Sequence, residues 1–175
     1  GALATYKLHA CTFGGKTDKN LQSHHENVVT TQKWVNLMDI ILDEFKGKGH
    51  CITMDSAYMG DVMAQIGHEE WQLNMVGMSQ SNRVGAAVKD ICDKMKIGTY
   101  DSAIWEHNSK NLVFVAWSDN VIIKTLSNYH RAMILDAENG LMRRGEDKDK
   151  KREMKQKPVP CPAQTKDYCE TFHLI

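Results

Sequence analysis

Asp55 is the residue whose position says most about chemistry. It closes the short apolar run His50-Cys51-Ile52-Thr53-Met54, and small, turn-compatible residues follow it: Ser56, Ala57 and Gly60. A buried strand ending on a carboxylate fits this pattern, and an acid at the carboxyl end of such a strand stands at the mouth where α/β proteins build sites. Carboxylate oxygens suit hard divalent cations. Phosphoryl transfer with two such ions about 4 Å apart requires several carboxylates to hold them. Asp55 supplies one part of such a set, and by itself a strand-end Asp is more often a helix cap or turn former.

Other candidate groups are less organised. His24-His25-Glu26 invites a metal reading, but neighbours on a polar loop rarely point the same way, so a plain loop is the expectation there. His107 and His130 stand alone in the sequence and are expected to be structural or exposed. The chain has no Gly-rich phosphate loop, no nucleophile elbow and no Cys/His zinc spacing.

The elements that must position Asp55 can be read from periodicity. Residues 4 to 13 mix β-branched, aromatic and apolar types up to Gly14-Gly15, which predicts a strand; Gly15 to Thr31 is polar and reads as a loop. Trp34, Val35, Leu37, Met38, Ile41, Leu42 and Phe45 recur at helical spacing, with Thr30 or Thr31 able to cap the start and Gly47 able to end it. After the strand that ends at Asp55, a helix is expected from Asp61, its cap, to Ile66. Trp71, Leu73 and Met75 then alternate with polar residues as a half-buried strand does. Strand, helix, strand, helix, strand implies an α/β layer with some parallel pairing.

The pattern then changes. Val88, Ile91, Cys92 and Met95 predict a short helix, while Ser102 to His107, Leu112 to Trp117 and Val121 to Leu126 are strand-like runs joined by turns at Asn108-Ser109 and Asp119-Asn120. A small antiparallel meander is the expectation. Residues 143 to 157 are dense in charge and read as a solvated linker in preference to a DNA-contacting patch.

With 175 residues, 42% hydrophobic and 25% charged, the chain can bury a core. The 22 Lys and Arg balance the 22 Asp and Glu, so no net basic field points to nucleic acid. The five cysteines are odd in number and scattered, which argues against a disulfide scaffold and for a reducing compartment. No apolar run approaches the ~18 residues of a membrane helix, and no membrane partner is expected. Both ends look like cuts: a strand-like stretch begins almost at once, and the last residues are the apolar Phe172-His173-Leu174-Ile175. The expectation is a fragment.

Three stretches carry a family resemblance. Ile52-Thr53-Met54-Asp55-Ser56-Ala57-Tyr58-Met59-Gly60 is similar to the piggyBac transposase segment in which a strand ends at the second catalytic Asp. Met75-Val76-Gly77-Met78-Ser79-Gln80-Ser81-Asn82-Arg83 resembles that family's Val-Gly-Thr run followed by Arg and then Asn with Arg or Lys. Trp117-Ser118-Asp119-Asn120, leading to Leu126-Ser127, resembles its Trp-x-Asp segment. The motifs fall in the family's order over nearly the whole chain.

The resemblance implies an α/β RNase H-like mixed sheet flanked by helices and interrupted by a small β-rich insertion. The expected layout is core at 1–75, insertion at 76–142, charged linker at 143–157 and return to the core at 158–175. It implies DNA cleavage and strand transfer by three carboxylates and two Mg²⁺ or Mn²⁺ ions. Asp55 matches the second acid, and the first is expected upstream of the strand near Ala4. Aligning Gln164-Thr165-Lys166 places Glu170 at the third, with Asp167, one helical turn away, as the alternative; the family's Gly-Gly there is replaced by Asp167-Tyr168. Asn82 and Arg83 are the implied DNA contacts. Partners would be transposon-end and target DNA, with a homodimer allowed, in the nucleus. Gln80 stands where the family usually has Arg and removes a group able to bind phosphate in bidentate fashion. A domesticated, catalytically inactive relative that binds DNA or protein is therefore the alternative expectation.

Overall fold

The computed structural model describes residues 32–84, 86–107, 111–146 and 154–172. The strand expected at 4–13, the loop to Thr31 and His24-His25-Glu26 lie outside the described residues.

Helix α1 (Gln32–Ile41) and a following 3-10 turn (Asp43–Phe45) occupy the stretch read as helical. Val35 and Leu42 are buried, with Trp34, Met38 and Ile41 packed around them. Gly47, at φ +69°, ends the segment, and its N–H donates to the Trp71 carbonyl at 2.9 Å. Trp71 Nε1 in turn donates to Asp39 Oδ1 at 2.7 Å, fastening α1 to the chain that leaves the next helix.

Strand β1 (Cys51–Met54), helix α2 (Asp61–Glu69) and strand β2 (Asn74–Met78) form a parallel βαβ unit, with Cys51 opposite Asn74 and Met54 opposite Gly77. Gly60 occupies the N-cap of α2. Asp61, expected as the cap, is the first helical residue, and its Oδ1 accepts the Val62 N–H at 2.7 Å. The apolar alternation at Trp71 and Leu73 begins before the ladder does. Both residues are buried, but their N–H groups donate to the Ile66 and Gly67 carbonyls at the end of α2, at 3.1 and 2.8 Å.

Two glycines permit close approach here. A Cβ on Gly67 would stand 2.0 Å from Met75 Sδ, and one on Gly77 would stand 2.4 Å from the Met54 carbonyl oxygen. The fit of α2 on β2, and of β2 beside β1, requires their bare backbone.

Helix α3 (Ala86–Lys94) leads to three antiparallel strands, β3 (Ser102–His107), β4 (Leu112–Ser118) and β5 (Ile122–Ser127). This meander continues the same sheet, because β5 pairs antiparallel with β2 from Val76–Ser127 to Met78–Thr125. The order is β1-β2-β5-β4-β3, a mixed five-stranded sheet whose β4 is buried along its full length.

Alternation divides the two faces of the sheet. Met54, Met75, Leu112, Phe114, Ala116 and Leu126 join the core that contains α1 and α2 residues. Thr53 and Thr125 point to the other face, where their hydroxyls meet Thr171 and Thr165 of helix α4 (Ala163–Phe172), each at 3.1 Å. Gln164 reinforces this docking, its Nε2 donating to the Thr125 carbonyl at 2.8 Å. The molecule is thus α/β, with helices on both faces of a mixed sheet.

Two short ladders complete the fold: β6 (Ile134–Leu135) with β9 (Cys161–Pro162), and β7 (Leu141–Glu146) with β8 (Met154–Val159). Much of the stretch expected as a solvated linker at 143–157 is therefore strand; 147–153 lies outside the described residues. The physical reason lies at its apolar ends. Leu141 pairs with Val159, and both pack with Trp117 and Cys161 in a second small core. Arg143 Nε lies 2.8 Å from Asp119 Oδ2, with the guanidinium over the Trp117 ring at 5.3 Å.

Candidate functional site

Asp55 follows β1 directly and is exposed. By alternation its side chain shares the α4 face with Thr53. Tyr168 of α4 lies within electrostatic reach: burial pushes its phenol up to about 12, and the Asp55 charge adds to that. The turn after Asp55 is tightly organised. Ser56 N–H donates to Asp55 Oδ1 at 2.6 Å, and the Tyr58 and Met59 N–H groups both donate to the Asp55 carbonyl at 3.0 Å.

Arg83 closes this turn from the side. Its Nη1 donates to the carbonyls of Ser56 (2.9 Å) and Ala57 (3.0 Å) and stands 3.5 Å from that of Met59. Arg83 ends the 3-10 turn Ser81–Arg83 beyond β2. Asn82 beside it is exposed, as is Gln80. The parallel βαβ unit thus brings both implied DNA contacts to the same end of the sheet as Asp55, but the guanidinium of Arg83 faces main-chain carbonyls.

The two candidates for a further acid both sit on α4. Glu170 is exposed and has Lys166 Nζ at 3.7 Å on its own helix. Asp167 Oδ2 accepts the Tyr129 hydroxyl proton and has His130 Nε2 at 3.6 Å. Cys51 Sγ donates to the same Tyr129 oxygen at 3.2 Å, which puts this group at the start of β1. Four residues of strand, roughly 13 Å at about 3.3 Å each, separate that point from Asp55. Among the described residues no three His, Cys, Asp or Glu side chains gather to hold a metal ion. One carboxylate at the β1 mouth is suitable donor chemistry for a divalent ion, but the described residues do not complete a two-ion site.

The Cys51–Tyr129–Asp167–His130 group was not evident from sequence, where His130 stood alone. Ser127 Oγ lies 2.8 Å from His130 Nδ1 and accepts the N–H groups of Tyr129 (3.3 Å) and His130 (3.2 Å). With its oxygen accepting two N–H groups, Ser127 donates to the imidazole. Although Ser, His and Asp meet here, Ser127 is fully buried and presents no nucleophile. Burial lowers the His130 pKa against the opposing pull of Asp167, and burial also raises those of Cys51 and Tyr129. An open groove of about 550 Å³ lies beside the group, lined in part by His68, His107, Asn111 and Arg131. The three-residue spacing of Ser127 and His130 just past a strand was the local signal for the turn; Asp167 arrives only through the docking of α4.

No protein-family model matches the chain, and no curated protein does. Among solved structures it is similar to the cryo-EM structure of a piggyBac transposase synaptic complex with hairpin DNA, with a TM-score of 0.54 and 16% identity over 85% of this chain. The match covers 26% of that transposase chain, so this chain spans about a quarter of it. No helix among the described residues is long and apolar enough to cross a membrane. At this identity the likeness is one of fold: this α/β sheet with its flanking helices has the architecture of one part of a piggyBac transposase.

Proposed function

We propose that this chain is part of the RNase H-like catalytic core of a piggyBac-like DNA transposase, and that Asp55 is one of the carboxylates that hold its Mg²⁺ or Mn²⁺ ions. The observation that carries this reading is the placement of Asp55. It is an exposed carboxylate at the carboxyl end of a parallel βαβ unit, oriented by the Ser56 N–H, in a fold shared with part of a transposase solved with hairpin DNA. Bound ions would supply charge stabilisation for phosphodiester cleavage and strand transfer. Asp55 would contribute a ligand oxygen, Glu170 or Asp167 would supply a further acid, and Asn82 would face the DNA from the neighbouring turn. The protein would act in the nucleus, as a homodimer on transposon-end and target DNA.

Asp55→Asn in the full-length protein tests this on hairpin and transposon-end DNA with Mg²⁺. The expected loss of cutting exceeds roughly 100-fold, because partners one shell further out are already worth 10–100-fold. Cutting that persists unchanged overturns the assignment of Asp55.

A second reading has its own support. The acids at Asp55, Asp167 and Glu170 do not gather among the described residues, and Gln80 offers no charge for phosphate. A transposase-derived protein that binds DNA or protein without cutting would show these features. It is favoured if the full-length protein binds such DNA and neither Mg²⁺ nor Mn²⁺ elicits cutting.

A further inference from the structure

Resting on the reading of Asp55 above, we propose that Arg83 is a positioning residue: its guanidinium clamps the turn that aims the Asp55 carboxylate, and its contribution to DNA binding is secondary. Three observations meet here. Arg83 Nη1 converges on the carbonyls of Ser56, Ala57 and Met59, at 2.9, 3.0 and 3.5 Å, all in the turn that leaves Asp55. Within that turn the Tyr58 and Met59 N–H groups return to the Asp55 carbonyl, while the Ser56 N–H holds Asp55 Oδ1. The Arg83 stem lies close over Gly60, where a Cβ would stand 3.7 Å from both its Cβ and its Cδ.

The chemistry explains why an arginine suits the place. Carbonyl oxygens that converge in a tight turn concentrate partial negative charge, and a charged N–H donor offsets it more strongly than a neutral one. The planar fork fixes the direction of donation, whereas a lysine ammonium is a flexible point charge. Ser56 is the hinge of the device, since its N–H orients the Asp55 side chain and its carbonyl is held by Arg83. Release of the Ser56 carbonyl loosens the peptide that aims the carboxylate. The 3-10 turn beyond β2 is thereby coupled to the mouth of β1 without touching a reacting atom.

Arg83→Ala, Arg83→Lys and Asp55→Asn in the full-length protein separate the possibilities. Cutting of hairpin DNA is followed across a Mg²⁺ titration, and DNA binding is followed across a salt titration. A clamp predicts that Arg83→Ala binds DNA with an unchanged salt slope but requires roughly 10-fold or more Mg²⁺ for half-maximal cutting, with Arg83→Lys between it and the parent. The proposal is overturned if the Mg²⁺ requirement is unchanged while the salt slope falls by about one, the mark of a lost phosphate contact. Should Arg83→Ala lose cooperative unfolding, Arg83→Lys carries the same comparison. If Asp55→Asn cuts like the parent, the reading of Asp55 fails, and amide exchange at Tyr58 and Met59 decides the clamp alone. Faster exchange in the Arg83 variant supports it, and unchanged exchange overturns it.

Discussion

Where β1 stops, Asp55 is exposed, with the Ser56 N–H on its carboxylate, Tyr168 within electrostatic reach and Arg83 clamping the turn that follows; where β1 begins, Cys51, Tyr129, His130 and Asp167 meet one another. The same strand therefore carries polar groups under two regimes. At the mouth a backbone N–H orients a carboxylate while leaving it open to solvent and to a further partner. At the start, side chains satisfy one another against the underside of α4, the condition of a docking contact. A concentration of titratable residues on this sheet thus marks a docking contact and not an open group. The freedom of the group to accept a new partner separates the two ends.

Substitutions should separate the ends by stability. The largest effect is expected at Asn128, which is buried beyond β5 at the docking end. Its Oδ1 accepts the Met75 N–H at 2.7 Å, and its Nδ2 donates to the Ala64 and Leu73 carbonyls at 3.0 and 3.1 Å. Asn128→Ala removes the partner of a buried N–H and one partner of each carbonyl, which should cost about 3 kcal/mol. Urea unfolding with an unchanged m-value would measure it. Asp55→Asn at the open mouth should shift the same curve by no more than about 0.5 kcal/mol. Comparable costs at the two positions would erase the distinction.

Next in size is Tyr129→Phe. The hydroxyl donates to Asp167 and accepts from Cys51, so its removal should cost about 1–2 kcal/mol, charged hydrogen bonds being worth more than neutral ones. A double-mutant cycle with Asp167→Asn isolates the pair, with coupling near 1 kcal/mol expected. A coupling near zero would mean that α4 is held by its Gln164 and Thr165 contacts without help from Asp167.

Much of the path to Asp55 was legible because local periodicity encodes it. The run closing on Asp55 is β1, the stripe from Trp34 to Phe45 is α1 and its 3-10 turn, and the meander strands lie within a residue of their expected limits. Trp71 and Leu73 imitated a strand because burial alternates there too, although their N–H groups belong to the end of α2. The β7–β8 ladder was hidden by charge density, since its anchor is the distant Trp117. Long-range meetings were invisible for the same reason: nothing near His130 in sequence announces Asp167, and nothing near Arg83 announces the carbonyls of Ser56 and Ala57.

The smallest expected effect is a pH dependence confined to the docking end. His130 faces Asp167 through Nε2, Ser127 through Nδ1 and the Tyr129 ring at 4.2 Å; burial outweighs Asp167 and holds its pKa below the ordinary 6.5. As pH falls through 6.5 the unfolded chain takes up a proton before the folded one does, so His130 contributes stability above that value and loses it toward the lowered folded value. Between about pH 7.5 and about pH 5 the contribution of His130 should therefore decline. Urea unfolding at the two pH values, compared between the parent and His130→Asn, isolates it from the titrating carboxylates. The variant should show a shallower decline on acidification. A steeper one would mean that Asp167 dominates, that His130 is charged in the fold, and that the docking end is an ion pair.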